Sequence, residues 1–354
     1  MEEKNELDAL REKLLYKQKQ GYDIIDVDER IKLEEYATAY KAYLNAARTE
    51  REAVTEAIAQ AEALGFVPYE RGMVLEPGTK IYKSVRGKAL MLAVMGCETL
   101  NHGANIAAAH VDSPRLDLKP IPLYEKDEIC LLKTHYYGGI KKYQWVAIPL
   151  EIHGVVTKKD GETIEVVIGK DPEDPKFTIT DLLPHLAKDQ MAKHGSDIIP
   201  GEYLNLLAGS VPYAGEGTKR VMLAVMSLLN DRYDITEEDF LSAELEVVPS
   251  FEACDIGVDR SFIGGQDDRV CAYAELKAIF DTETPDRTAV CVLADKEEIG
   301  SMGVSGMQSR AFETFMADLC EQQDVHLRDC FENSFCVSAD VCNAYDPTFW
   351  DVSE

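Results

Sequence analysis

The sequence predicts an α/β protein: a three-layer sheet with helices on both faces, interrupted by a β-rich segment. Three observations carry this reading. The last third alternates helix-like and strand-like stretches: 269–280 and 308–320 show helical spacing, while 288–294 and 334–339 are short apolar runs. Strands that alternate with helices favour a parallel sheet covered on both faces. The first third opens in helix, with Leu33, Tyr36, Tyr40, Leu44 and Ala47, then Val54, Ile58, Ala61 and Leu64, at helical spacing and Gly65 as a stop. The middle third differs. There 150–157 and 162–168 alternate around Lys158-Lys159-Asp160-Gly161, which reads as a hairpin.

The remaining elements follow in order. Residues 80–85 and 88–95 flank Arg86-Gly87 as a second hairpin, and Ile106 to Ala109 is a short apolar run that would deliver His110. Thr180-Asp181 predicts a cap for a helix through Lys188, 218–229 reads as helix, and Thr236 to Asp239 has the pattern of a capping box. The simplest organisation is an α/β domain made of 1–117 and 251–354, with 118–250 inserted.

Composition narrows the function classes. Lys plus Arg number 37 against 64 Asp plus Glu, a net charge of -27. Such a surface repels nucleic-acid phosphates and anionic lipid, so neither nucleic acid nor membrane is an expected partner. No stretch has the length and apolarity of a membrane span. Nine cysteines are scattered with no C-x-x-C pair. They read as reduced, buried thiols of a cytoplasmic protein.

Four polar clusters border these elements: Ala109-His110-Val111-Asp112-Ser113-Pro114, Gly264-Gly265-Gln266-Asp267-Asp268-Arg269, Asp295-Lys296-Glu297-Glu298-Ile299-Gly300-Ser301, and Ser338-Ala339-Asp340. Open α/β sheets place their sites beyond the carboxyl ends of strands. Imidazole and carboxylate suit zinc. A bridging carboxylate can hold two dications, which polarise a scissile carbonyl and acidify water, and a further carboxylate can take the proton. Each cluster alone has an ordinary explanation. His110 could be a hydrogen-bonded core histidine, Asp112 and Asp340 turn residues, Asp267-Asp268 a helix cap, and Glu297-Glu298 a solvated pair. Their joint order is the stronger signal.

That order resembles the M18 metalloaminopeptidases, the aspartyl aminopeptidase group. Further matching residues are Leu118-Lys119-Pro120, Ala344 and Pro347. The resemblance implies two divalent ions, Zn²⁺ with Co²⁺ or Mn²⁺ as alternatives. His110, Asp267 and Asp340 would hold one ion. Asp267, as bridge, and Glu298 would hold the other. Glu297 would be the general base, Asp112 would orient the His110 ring, and Asp268 would follow Asp267 across a cis peptide. The resemblance also makes 118–250 an oligomerisation domain, with peptide substrates, acidic N-terminal residues among them, and homo-oligomers as large as a dodecamer. His185, in Leu183-Pro184-His185-Leu186-Ala187, would reach a neighbouring subunit's site or be an ordinary helix histidine. Asn343 and the tract 138–150 depart from the family pattern, which leaves substrate preference open.

No histidine follows His326, whereas the family supplies a final histidine ligand near its C-terminus. The expectation is a C-terminally truncated chain that is itself inactive. A non-catalytic assembly module and a peptidase or deacylase of the related M42 kind remain the alternatives.

Overall fold

A computed structural model describes residues 2–264 and 267–352, so Gly265 and Gln266 of the second cluster lie outside the described residues. The chain forms two compact units, residues 1–42 and 43–354. Helices α1 (Glu2–Leu14) and most of α2 (Val27–Ala46) belong to the first. In the second are helices α3 (Glu50–Ala63), α4 (Lys188–Met191), α5 (Arg220–Tyr233), α6 (Arg269–Phe280), α7 (Ala311–Glu321) and α8 (Leu327–Asn333). Its first sheet contains β1 (Val67–Pro68), β2 (Lys80–Val85), β3 (Ala89–Val94) and β4 (Asn105–His110). Strands β5 (Arg115–Lys126), β6 (Ile129–Tyr137), β7 (Leu150–Thr157), β8 (Thr163–Ile168), β9 (Asn205–Gly209) and β10 (Ala243–Pro249) make the second sheet. A small ribbon, β11 (Asp255–Ile256) and β12 (Phe262–Ile263), follows; β13 (Ala289–Ala294) and β14 (Phe335–Ser338) then return to the first sheet.

The first sheet runs β1-β2-β3-β13-β4-β14. It is mixed rather than wholly parallel: β13, β4 and β14 are parallel, while β2 and β13 both pair antiparallel with β3. The cause is the β2–β3 hairpin. Arg86 and Gly87 both take positive φ, 58° and 68°, the twist that a two-residue turn needs. β3 is buried throughout. Met91 and Ala93 pack with Phe315, Met316 and Leu319 of α7 on one face. Leu90 and Leu92 alternate to the other, where α3 and α6 lie on β3. Helices therefore cover both faces, giving the three layers.

Two local expectations need correction. The periodicity through residues 31–64 is broken at Ala47-Arg48-Thr49. The Thr49 hydroxyl accepts from Glu52 N and the Glu52 carboxylate accepts from Thr49 N, a capping box that starts α3 afresh. The helix expected after Thr180-Asp181 is absent, and only α4 forms, from Lys188. Pro184 removes a donor there, and Asp181 Oδ1 accepts instead from Leu182 N and Gln190 Nε2, each at 2.8 Å.

The second sheet, order β8-β7-β10-β5-β6-β9, is antiparallel at every pairing. Leu116, Leu132, Ile152, Val166, Leu245 and Val247 form its core with Val221 and Met222 of α5. A buried ion network joins this sheet to the first layer. Arg115 of β5 meets Glu246 of β10 at 3.2 Å, Asp117 at 2.9 Å and Glu50 of α3 at 3.4 Å, and Lys88 reaches Glu50 at 3.2 Å. Burial works against the Glu50 carboxylate, but Arg115 and Lys88 overcome it and hold its pKa low. Burial and the Glu50 charge push Glu246 up.

Candidate metal centre

The parallel register gathers the site. His110, the last residue of β4, lies opposite Ala294 of β13, and Ser338 of β14 lies opposite Ala108. The chain leaving β13 carries Glu297 and Glu298, and the chain leaving β14 carries Asp340, so all emerge at one edge of the sheet. Asp267 enters from the segment before α6. Its peptide bond to Asp268 is cis. Asp268 Oδ1 accepts from Cys271 N at 3.2 Å and caps α6, and the Ser113 hydroxyl donates to the Asp267 carbonyl at 2.6 Å.

His110 is buried and central. Its Nε2 lies 3.1 Å from Asp267 Oδ1, 3.8 Å from Asp340 Oδ1 and 3.9 Å from Glu297 Oε2. Two donor groups have the spacing of a metal site, each with its atoms within 4.8 Å of one another: His110, Glu297 and Asp340, and His110, Asp267 and Glu298. All four proposed donors and the proposed base are thus brought together, with Glu297 among the donors of one group.

Asp112 is fully buried beneath them. Its Oδ1 lies 3.2 Å from His110 Nδ1 and accepts from Glu297 N at 3.1 Å; its Oδ2 accepts from Glu298 N at 3.2 Å and from the Tyr137 hydroxyl at 2.8 Å. One carboxylate therefore fixes the histidine ring and the backbone that presents both glutamates. Nothing in the sequence pattern singled out Tyr137, because a tyrosine in an alternating strand reads as core. His185 lies in an exposed segment and belongs to neither donor group.

The electrostatics match a crowd of acids around one imidazole. Burial opposes charging of His110, but the hydrogen bond and charge of Asp112, with Asp268 and Glu297, raise its pKa to about 9. Glu298 is pushed up to about 7 by burial and by the Asp267 charge. Its Oε1 is buried with no hydrogen-bond partner. A buried carboxylate oxygen without a partner is costly, and a cation would relieve both the desolvation and the repulsion. One imidazole with several carboxylates is also the donor chemistry that zinc accepts. The residues present fit a divalent ion.

Comparison with known proteins agrees. The family of the aminopeptidase I zinc metalloproteases (M18) matches residues 43–354. A probable M18 family aminopeptidase 1 of Clostridium acetobutylicum is 46% identical over 352 residues, covering 96% of this chain and 76% of that protein. The crystal structure of the M18 aminopeptidase from Thermotoga maritima superposes with a TM-score of 0.90 at 42% identity, covering 95% of this chain and 75% of that one. The S. cerevesiae mApe1 dodecamer shares the fold, with a TM-score of 0.72 at 20% identity over 91% of this chain and 75% of that one.

Proposed function

This chain belongs to the M18 family of zinc metalloprotease aminopeptidases, and we propose that it removes N-terminal residues from peptides by metal-assisted hydrolysis. The observation that carries the reading is the pair of donor groups around His110. His110, Asp267 and Asp340 would hold one ion, and Asp267 with Glu298 a second. Zinc, when bound, supplies Lewis-acid polarisation of the scissile carbonyl and acidifies water.

The chain's own residues do the rest. Glu297 is half exposed at the mouth of the cluster, with Oε2 turned toward His110. It takes the proton of the attacking water and returns it to the leaving amine. Asp112 holds Glu297 through its backbone amide, so the base keeps its position while its side chain carries the proton. The concentration of carboxylates favours the cationic N-terminus of a peptide. Acidic N-terminal residues belong to the proposed substrate range on the resemblance alone. The two donor groups share the one His110 imidazole, and nothing in the comparisons supports the expectation of an inactive chain.

The test is metal content by mass spectrometry, with turnover of Leu, Glu and Asp chromogenic substrates in Zn²⁺, Co²⁺ or Mn²⁺. Glu297→Gln is expected to retain metal and fold while kcat falls by about 10²–10⁴. Near-normal turnover in that variant sinks the general-base role. Stoichiometric metal without turnover on any peptide favours a non-catalytic module.

We also propose that residues 118–250 drive homo-oligomerisation, with 1–117 and 251–354 as the catalytic domain. Leu182, Leu183, Leu186, Met191 and Tyr203 are large apolar side chains left exposed in that segment, which supports a covered face. His185 sits among them and would reach a neighbouring subunit there. Deletion of 118–250 should give smaller species by light scattering; unchanged assembly refutes the assignment. The nine cysteines are free but not all buried as expected: Cys130, Cys291, Cys320 and Cys330 are buried, whereas Cys97, Cys254, Cys336 and Cys342 are exposed. Free thiols support a cytoplasmic location, and among the described residues no helix is long and apolar enough to cross a membrane.

A further inference from the structure

We infer that the end of strand β6 is part of the machinery that shapes the metal centre, with Tyr137 and Gly138 as positioning residues for Asp112 and Glu298. Two independent contacts point there. The Tyr137 hydroxyl donates to Asp112 Oδ2 at 2.8 Å, the same oxygen that accepts from Glu298 N. The next residue, Gly138, has φ +69°, and a Cβ there would lie 3.0 Å from Glu298 Oε2 and 3.1 Å from Glu298 Cβ. The dipeptide therefore touches one side chain that orients His110 and one that belongs to a donor group. A tyrosine whose hydroxyl only needed a partner could have used any backbone carbonyl. This one bonds to the carboxylate on which three site groups converge.

The support behind Tyr137 is rigid. Arg115 lies directly across the strand pair from it, with the guanidinium 3.8 Å from the ring centroid. Arg115 is itself anchored by Asp117, Glu246 and Glu50. The ring is thus held against an ion network that links the second sheet to α3. The second sheet then has a role at the first sheet's edge besides any part in assembly: through β6 it sets the position of the loop that carries Glu297 and Glu298.

The zinc arm of the test rests on the metal reading above; the exchange arm does not. Tyr137→Phe deletes the hydroxyl and keeps the ring on Arg115. In metal-free protein, hydrogen exchange at the Glu297 and Glu298 amides should quicken by about tenfold, the loss of one hydrogen bond to a charged group. The β7 and β10 amides should keep their parental rates. In chelator competition, Zn²⁺ affinity should fall by about 10–100-fold, the range for partners behind a ligand. Gly138→Ala, which crowds Glu298 and leaves the Asp112 bonds in place, should weaken Zn²⁺ by a similar factor and carries the test should Tyr137→Phe fail to fold. Parental exchange at residues 297–298, or a uniform rise throughout the core, overturns the inference. So does parental Zn²⁺ affinity in both variants of a zinc-binding protein. Faster local exchange in a protein that binds no zinc upholds the positioning role and refutes the metal reading.

Discussion

Replacing Asp112 by Asn tests how much of the site is held by one carboxylate. The variant keeps the volume and changes one oxygen to an amide nitrogen. Four donors converge on Asp112: Tyr137 Oη and Glu298 N on Oδ2, and His110 Nδ1 and Glu297 N on Oδ1. Whichever way the amide turns, two of the four donors face another donor. Hydrogen bonds to a charged acceptor contribute about 1.5–3 kcal/mol each, so two lost bonds amount to roughly 3–6 kcal/mol before relaxation. His110 Nδ1 also lies 2.9 Å from the Asp112 carbonyl, which gives the ring a second acceptor. The lower end, about 3 kcal/mol, is therefore expected. Urea unfolding at pH 7 measures it, and Zn²⁺ affinity should drop about 10–100-fold in parallel. The variant should also change the acid limb. Burial opposes the Asp112 charge, but hydrogen bonds from His110 and Tyr137 outweigh it and lower the folded pKa below the ordinary 3.8. The stability it contributes is present above that value and is lost as pH falls through the folded pKa. The Asn variant should lose less stability than the parent below pH about 4. A variant within about 0.5 kcal/mol of the parent at pH 7 would refute the reasoning.

Two further substitutions probe the surroundings. Phe315 is fully buried between α7 and the first sheet, edge-on to Tyr69 at 5.8 Å, so Phe315→Ala should cost about 3–5 kcal/mol in denaturant unfolding. His153 is buried in β7 beside Glu52 at 2.9 Å and Glu151 at 3.6 Å, with Arg48 3.1 Å from Glu151 and Lys170 3.4 Å from Glu52. Burial works against its charge, yet Glu151 and Glu52 raise its pKa overall. Its stabilisation is complete below the unfolded value of 6.5 and fades as pH rises through the folded pKa. His153→Gln should remove that alkaline decline from plots of unfolding free energy against pH, and an unaltered slope counts against the pairing.

The sequence showed the strands that end at the site more clearly than the way they assemble. β4, β13 and β14 are short apolar runs that break abruptly into His110, Glu297 and Asp340. Both hairpins were visible in their turn residues, because positive φ restricts the choice of residue. The antiparallel β3–β13 pair was not visible, since pairing between distant segments leaves no periodic trace in either strand. The restart at Thr49 carried its signal, Thr49 followed by Glu52, but helical spacing on both sides concealed it. The proline in Leu183-Pro184-His185 overruled a capping signal at Thr180-Asp181. The five carboxylates and His110 were found because charged groups after apolar strands are conspicuous. Tyr137 and Gly138 were not, because their importance lies in what they meet far along the chain: Asp112, 25 residues before Tyr137, and Glu298, well over a hundred residues after Gly138.

The strand order also constrains when the protein can fold. β13 sits between β3 and β4, although about 180 residues separate Asn105 from Ala289 in the chain. The first sheet cannot close its centre until that late strand arrives, whereas the second sheet takes all its strands from 115–249. Loop-closure entropy delays the distant pairing, and the self-contained segment has no such wait. On the ribosome, β2 and β3 would emerge first and still lack β13 when the second sheet, from 115–249, is already complete. Pulse-labelled exchange during refolding should show protection in β5–β10 before β3 and β4. The donor groups, drawn from both sides of that segment, would then be among the last features to form.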